Sequence, residues 1–323
     1  MQETAEKAWD TSGEDALGLW LRKAVREGAY TEEYCTKLEA YEKVTKNEAA
    51  VLYFAARLAF ALGEMEEAHR LAHEAYARRK LSHKVWQLLF EIGDALGLDE
   101  RFYLISAGCG ATGAIKKFEE IMGLYLPPMS ANRLGEEAVK GANLPLVIVS
   151  PYEHHSNEVS LREGLCEVVR IPLSKSGEIN FGRLDQLLKI NSKREIIGSF
   201  SAASNVTGII SDYKKIYVMM KRYGATVAFD AASFSSHDNL DADYFDALFL
   251  SPHKLLGGVG SCGLLAIRKE LVKSDKPTFA AGGTVSYVSR SSHFFAPSIE
   301  RTEEGGTQHV MGLIRASLAY RLR

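Results

Sequence analysis

Apolar and polar residues follow two different rhythms along this chain, and the change comes close to residue 100. Before it, apolar positions recur at three- and four-residue spacing, as in Val51, Phe54, Ala55, Leu58 and Leu62, which is the spacing of one helix face. Ala, Leu, Glu, Lys and Arg dominate, and no proline occurs before Pro127, so residues 1–100 read as helix throughout. After the change, short continuous apolar runs alternate with amphipathic stretches. Leu144–Ser150, Cys166–Ile171, Glu195–Ser201, Ala225–Asp230, Asp246–Leu250 and Cys262–Ile267 predict buried strands. Ala114–Leu124, Phe181–Ile190 and Asp212–Tyr223 predict helices between them. Strands that are apolar along their length need cover on both faces. Residues 101–323 are therefore expected to form an α/β domain, a mainly parallel sheet with helices on both sides. In such sheets ligands bind beyond the carboxyl ends of the strands.

The helical half carries a period. Ala61-Leu62-Gly63 recurs as Ala95-Leu96-Gly97, and Gly28 stands one period before Gly63. Small residues at these points would let paired helices approach closely, and Trp86, near the start of a third unit, would fill a groove between them. The pattern resembles tetratricopeptide repeats, which would imply a protein partner; a plain helical bundle is the alternative.

Composition narrows the class. Of 323 residues, 46% are hydrophobic and 25% charged, which is ordinary for a soluble globular chain. The formal net charge of -2 and the lack of any Lys/Arg run give no sign of nucleic-acid binding. The apolar runs are strand-length, far short of a membrane span. The polar, acidic start MQETAEKAWD is neither a secretory signal nor an Arg-rich transit peptide. The four cysteines form neither a disulfide framework nor a C-x-x-C pair, so a reduced, cytoplasmic protein without a metal site is expected.

The residues with chemical potential fall at predicted strand ends. Lys254, in Ser251-Pro-His-Lys254-Leu-Leu-Gly-Gly258, follows a buried apolar run. A buried lysine is costly unless its charge is lost or paired, and a Schiff base to an aldehyde achieves that. Taken alone, a strand-end lysine reaching solvent explains it as well. Asp230 ends the run Ala225–Phe229 and could hold a pyridine nitrogen protonated, although a turn or helix cap would also use an aspartate there. Asn205 could donate to a phenolic oxygen or simply make an Asx turn before Gly208. Gly108-Cys-Gly-Ala-Thr-Gly113 precedes a predicted helix, where backbone N–H groups can cradle a phosphate. Glu153-His154-His155 follows the first strand; one imidazole could stack on a ring. A metal is disfavoured because neighbours on an extended chain point apart and no third ligand is evident.

The ordered series GATGAI, PYEHHSN, SFSAASNVTGI, FD, FLSPHK and EEGGT resembles the class V branch of fold-type I pyridoxal-phosphate enzymes, from about Phe102 to the C-terminus. That resemblance implies pyridoxal 5'-phosphate as cofactor, held as a Schiff base by Lys254, which would later shuttle the α-proton of a small amino-acid substrate. It implies Asp230 on the pyridine nitrogen, His154 stacked on the ring, Asn205 on the phenolic oxygen, and Ala111, Thr112, Ser251 and His253 around the phosphate. Thr307, in EEGGT, matches a position that reaches the phosphate of a neighbouring subunit, which implies a homodimer. Ser233 stands where desulfurases usually carry a glutamine. The resemblance leaves cysteine desulfurase, selenocysteine lyase and aminotransferase chemistry open. The chain stops at Arg323, where the family's small domain, with its carboxylate-gripping arginine and persulfide-bearing cysteine, normally follows. Impaired turnover, an interaction protein that binds cofactor idly, or a fragment of a longer enzyme are the expectations that follow. Cys109 and Cys262 read as buried small residues rather than thiolates.

Overall fold

The computed structural model describes residues 14–45, 48–62, 64, 67, 70–71, 80–135 and 143–323. They divide into two compact units, residues 1–86 with 285–297 and residues 87–284 with 298–323. The break falls inside the helix Lys80–Ala95, whereas the change of sequence rhythm suggested a boundary near 100.

In the first unit the helices Glu14–Glu27, Glu32–Val44 and Glu48–Ala61 bury a common core of Leu17, Leu21, Tyr34, Leu38, Tyr41 and Phe54. Tyr41 and Phe54 meet edge to face at 5.7 Å between ring centroids. The periodic residues Val51, Ala55 and Leu58 pack against this core, but Leu62 is exposed. The recurring glycines have a different cause from the one their spacing suggested. Gly28 and Gly97 have φ of +69° and +70°, and a Cβ on either would meet nothing within 4 Å. They end helices: Ala29 N–H donates to Ala24 C=O and Leu98 N–H to Gly93 C=O, both at 2.9 Å, closing the last turn through a left-handed residue. Gly63 lies outside the described residues.

The second unit is built on a seven-stranded sheet. Its strands are β1 (Phe102–Ala107), β2 (Leu146–Val149), β3 (Glu167–Arg170), β4 (Ile196–Ser201), β5 (Thr226–Asp230), β6 (Ala247–Leu250) and β7 (Gly263–Arg268), in the order β1-β7-β6-β5-β4-β2-β3. Only β7 runs against its neighbours; the β3, β2, β4, β5 and β6 pairings are parallel. Every residue of β2, β4 and β6 is buried, as strands covered on both faces require. Ile197 packs with Ile115 and Phe118 of the helix Gly110–Ile121. A Cβ on its neighbour Gly198 would approach Met220 of the helix Tyr213–Lys221, on the opposite face. Helices thus cover both sides.

Because β1 is antiparallel to β7 and β7 to β6, the carboxyl ends of β1, β2, β4, β5 and β6 lie along one edge. The sequence reading did not single out β1, nor the helices Pro128–Leu134, His155–Arg162 and Val310–Leu322. A hairpin of β8 (Val285–Val288) and β9 (His293–Phe295) belongs to the first unit.

Candidate active site

Five of those strand ends surround a cavity of about 220 Å³. Beyond β1, Gly110–Ile121 begins its helix at the cavity wall, and its N-cap residue Cys109 makes no side-chain cap. Its free N–H groups make a place for an anion. Ala111 N–H donates to Ser251 Oγ at 2.7 Å, which ties this turn to the end of β6. Gly110, at φ +59°, is required twice over: its backbone is left-handed, and a Cβ would come within 2.4 Å of His253 Cε1.

Beyond β2, the reading of Glu153–His155 as extended chain is corrected. His154 is the N-cap of the helix His155–Arg162, its Nδ1 accepting from Ser156 N–H at 3.2 Å. The acceptor role of Nδ1 leaves the ring proton on Nε2. Ser156 Oγ lies 2.8 Å from Thr112 Oγ1, so the histidine and the anion-binding turn share a partner.

Beyond β4, Ser204 rather than Asn205 makes the turn. Its hydroxyl accepts from Val206 N–H at 3.3 Å and Thr207 N–H at 3.2 Å, and Gly208 N–H reaches Ser204 C=O. Asn205 is left facing the cavity, its side chain making no hydrogen bond among the described residues.

Asp230, at the end of β5, is 6% exposed, and among the described residues its carboxylate accepts one hydrogen bond, from Ala232 N–H at 2.9 Å. Burial pushes its pKa up, while that hydrogen bond and the nearby Lys254 and His154 pull it back. Ser233, half-buried, also lines the cavity. Beyond β6, Lys254 ends the single turn Pro252–Lys254. It is exposed at the cavity, as a strand-end lysine reaching solvent would be, and its amine has no hydrogen-bond or ion-pair partner among the described residues.

Nine of the ten residues expected at the site, Ala111, Thr112, His154, Asn205, Asp230, Ser233, Ser251, His253 and Lys254, are thus brought to one cavity. Thr307 is not. It lines a second cavity of about 540 Å³ with Ser106, Lys117, Glu303 and Glu304. The sequence reading passed over Ser156 and Ser201, which also line the first cavity; both are small polar residues at the ends of elements, a weak signal alone. Cys109 is exposed and lines both cavities, contrary to its expected burial. Cys262 is buried, its pKa pushed up to about 12 by desolvation, and desolvation likewise raises Cys166 to about 11.

A helix N-terminus for an anion, an unpaired amine and a buried carboxylate with acceptor capacity to spare fit a phosphorylated pyridine aldehyde in chemistry and order. The fold and cavity define a large domain of the pyridoxal-phosphate transferase type. The sequence pattern of the class-V aminotransferase family matches residues 131–322, well over half of the chain. The chain belongs to that family, whose members depend on pyridoxal 5'-phosphate. A probable cysteine desulfurase of Chlamydia muridarum is 31% identical over 175 residues, covering 52% of this chain and 42% of that protein. A cysteine desulfurase of Synechococcus elongatus is 27% identical over 253 residues, covering 75% of this chain and 36% of its own length. Among solved structures, the apo cysteine desulfurase of Thermococcus onnurineus superposes with a TM-score of 0.59 at 22% identity, covering 74% of this chain and 56% of that one. A cysteine desulfurase of Escherichia coli also gives 0.59, at 23% identity, with 80% and 59% covered. The chain spans less than half the length of these curated relatives.

Proposed function

We propose that this chain binds pyridoxal 5'-phosphate covalently through Lys254 and acts at the α-carbon of a small amino acid, as a lyase of the cysteine desulfurase kind or as an aminotransferase. One observation carries the reading: a lysine amine without a partner among the described residues, a buried aspartate and a helix N-terminus meet in one cavity. The cofactor, when bound, supplies an electron sink for charge left at the substrate's α-carbon.

The protein's part is binding, orientation and proton transfer. Lys254 Nζ would hold the cofactor's aldehyde carbon covalently, and as a free amine it would be the group placed to move the α-proton. Asp230 holds a proton on the pyridine nitrogen. Its buried setting strengthens that ion pair, since charges attract more in a low dielectric than in water. His154 would lie against the ring, and Asn205 would donate to the phenolic oxygen. The family resemblance puts Ser233 where desulfurases carry the longer glutamine, so Asn205 would carry more of that contact. The helix start at Gly110–Thr112, with the side chains of Thr112, Ser251 and His253, would hold the phosphate. Thr307, away from this cavity, serves the phosphate of a second copy in a homodimer.

Desulfuration also needs a thiolate that can reach the substrate sulfur. Cys166 and Cys262 are held as thiols by desolvation, and Cys109 is the N-cap of the helix whose first turn is assigned to the phosphate. None of these three suits the nucleophile's role, so α-proton removal is the step these residues serve. The test is exchange of the α-proton of L-alanine and L-cysteine in D₂O, followed by NMR, for the cofactor-loaded protein and for Lys254→Ala. Lysine-dependent exchange is expected. Equal rates in the two proteins, with cofactor bound to the wild type, would contradict the reading.

A further inference from the structure

Glu153, the residue before His154, has no part in the reading above and does not line the cavity, yet its carboxylate is the centre of a buried polar network. Its Oε1 accepts from Ser150 N–H at 3.2 Å, from the Ser150 hydroxyl, and from Ser201 N–H at 2.9 Å. Its Oε2 accepts from Asn157 Nδ2 at 2.7 Å and from Ser201 Oγ at 2.9 Å. Asn157 is fully buried, and its Oδ1 accepts from Ser199 Oγ at 2.7 Å, so its amide must turn the NH₂ toward Glu153. Every partner donates, and Glu153 is the common acceptor. Burial pushes its pKa up to about 7, and the hydrogen bonds from Ser150, Asn157 and Ser201 pull in the other direction.

The placement of these bonds matters more than their number. Ser150 follows β2, Ser199 and Ser201 end β4, and Asn157 lies in the first turn of the helix His155–Arg162. One carboxylate therefore locks two neighbouring strand ends to the helix, and His154 is the residue strung between the two anchors. Its ring is then oriented by Ser156 on the same helix. Buried polar networks that are fully satisfied fix a unique local geometry, and removing one member leaves the rest unpaired.

We propose that Glu153 is a positioning residue: its carboxylate pins the segment from Ser150 to Asn157 so that the His154 imidazole stays over the cavity, and it acts on a bound ring only through that imidazole. The inference rests on the cofactor reading. It is tested by a double-mutant cycle on pyridoxal-phosphate affinity, with wild type, Glu153→Gln, His154→Ala and the double variant, each checked for folding by circular dichroism. Glu153→Gln keeps the shape but turns an NH₂ toward a donor. It is expected to weaken binding about threefold to tenfold in the wild type and to change it less than twofold in the His154→Ala background. The same fold loss in both backgrounds would show that Glu153 supports the fold generally and would overturn the inference. Asn157→Ala, which removes one donor to the same carboxylate, is the second variant and should show the same dependence on His154; it decides the matter if Glu153→Gln does not fold. Failure of the wild type to bind at all would instead remove the cofactor reading, and this inference with it.

Discussion

At the scale of single residues, two neighbours of the cavity differ in how much they should matter. Asp230 is a buried carboxylate with one hydrogen bond from the described residues, so a pyridinium proton placed there would gain a full charge partner. His154 is exposed and contributes a flat surface, and stacking adds only about 0.5–1.5 kcal/mol beyond burial. Asp230→Ala should therefore lower α-proton exchange by roughly a hundredfold or more, while His154→Ala should weaken cofactor binding about tenfold at most. Measuring both quantities for both variants checks the assignment; greater loss of exchange from the histidine change would reverse it. Lys254, Asp230, Asn205 and His154 were all legible in sequence because each follows an apolar run at a strand end, where side chains face the ligand edge. Their surroundings were not legible. The exposure of Lys254 depends on the turn Pro252–Lys254 carrying it away from β6, and the exposure of Cys109 on its place just before a helix. Glu153 stood in the quoted motif without a role, because a carboxylate shows its function only once its donors, from residues up to 48 positions away, are assembled around it.

At the scale of elements, the helix Phe181–Ile190 was legible to the residue and the six expected strands to within one or two, since apolar runs leave little choice of where a strand lies, although β3, expected to be buried, is half-buried to exposed. The edge strand β1 mixes buried with half-buried residues and follows a helical stretch, so no rhythm set it apart. The helix His155–Arg162 starts with His-Ser-Asn-Glu, poor in apolar residues, and is fixed instead by the His154 cap and the Asn157–Glu153 bond. The turn before Gly110–Ile121 carries the element-scale prediction. Gly110→Ala would place a left-handed alanine, costing about 1–2 kcal/mol, and drive its Cβ into His253. Because that turn serves only the phosphate end, affinity for pyridoxal phosphate should fall by tenfold or more, while affinity for pyridoxal, which lacks the phosphate, should stay within twofold. Parallel loss for both ligands, measured by absorbance titration, would mean the turn shapes the whole cavity rather than an anion site.

At the scale of the molecule, the fold keeps acidic groups out of water away from the cavity as well as beside it. Desolvation pushes Glu119 and Glu304 up to about 7 from an ordinary 4.5. Glu119 accepts from Ser160 Oγ at 2.6 Å, and Glu304 Oε1 accepts from Ser106 N–H at 2.6 Å, with the Gln308 side chain also acting on the Glu304 carboxyl. A carboxyl whose folded pKa lies above its unfolded one binds more protons when folded. Its stabilising contribution is full below about 4.5 and is lost as pH rises through about 7, on the order of 1–3 kcal/mol for each group. The thermal midpoint should therefore fall between pH 5 and pH 8, and Glu304→Gln should flatten that fall by its share; an unchanged slope in the variant would place the proton elsewhere. The central claim, that Lys254 is the covalent anchor of the cofactor, has a more direct test. The protein is loaded with pyridoxal phosphate, reduced with borohydride, digested and weighed. The account expects a yellow protein whose colour is lost on reduction and whose added mass sits on Lys254 alone. A folded wild type that stays colourless, or one whose added mass is spread over several surface lysines and persists in Lys254→Ala, would contradict it.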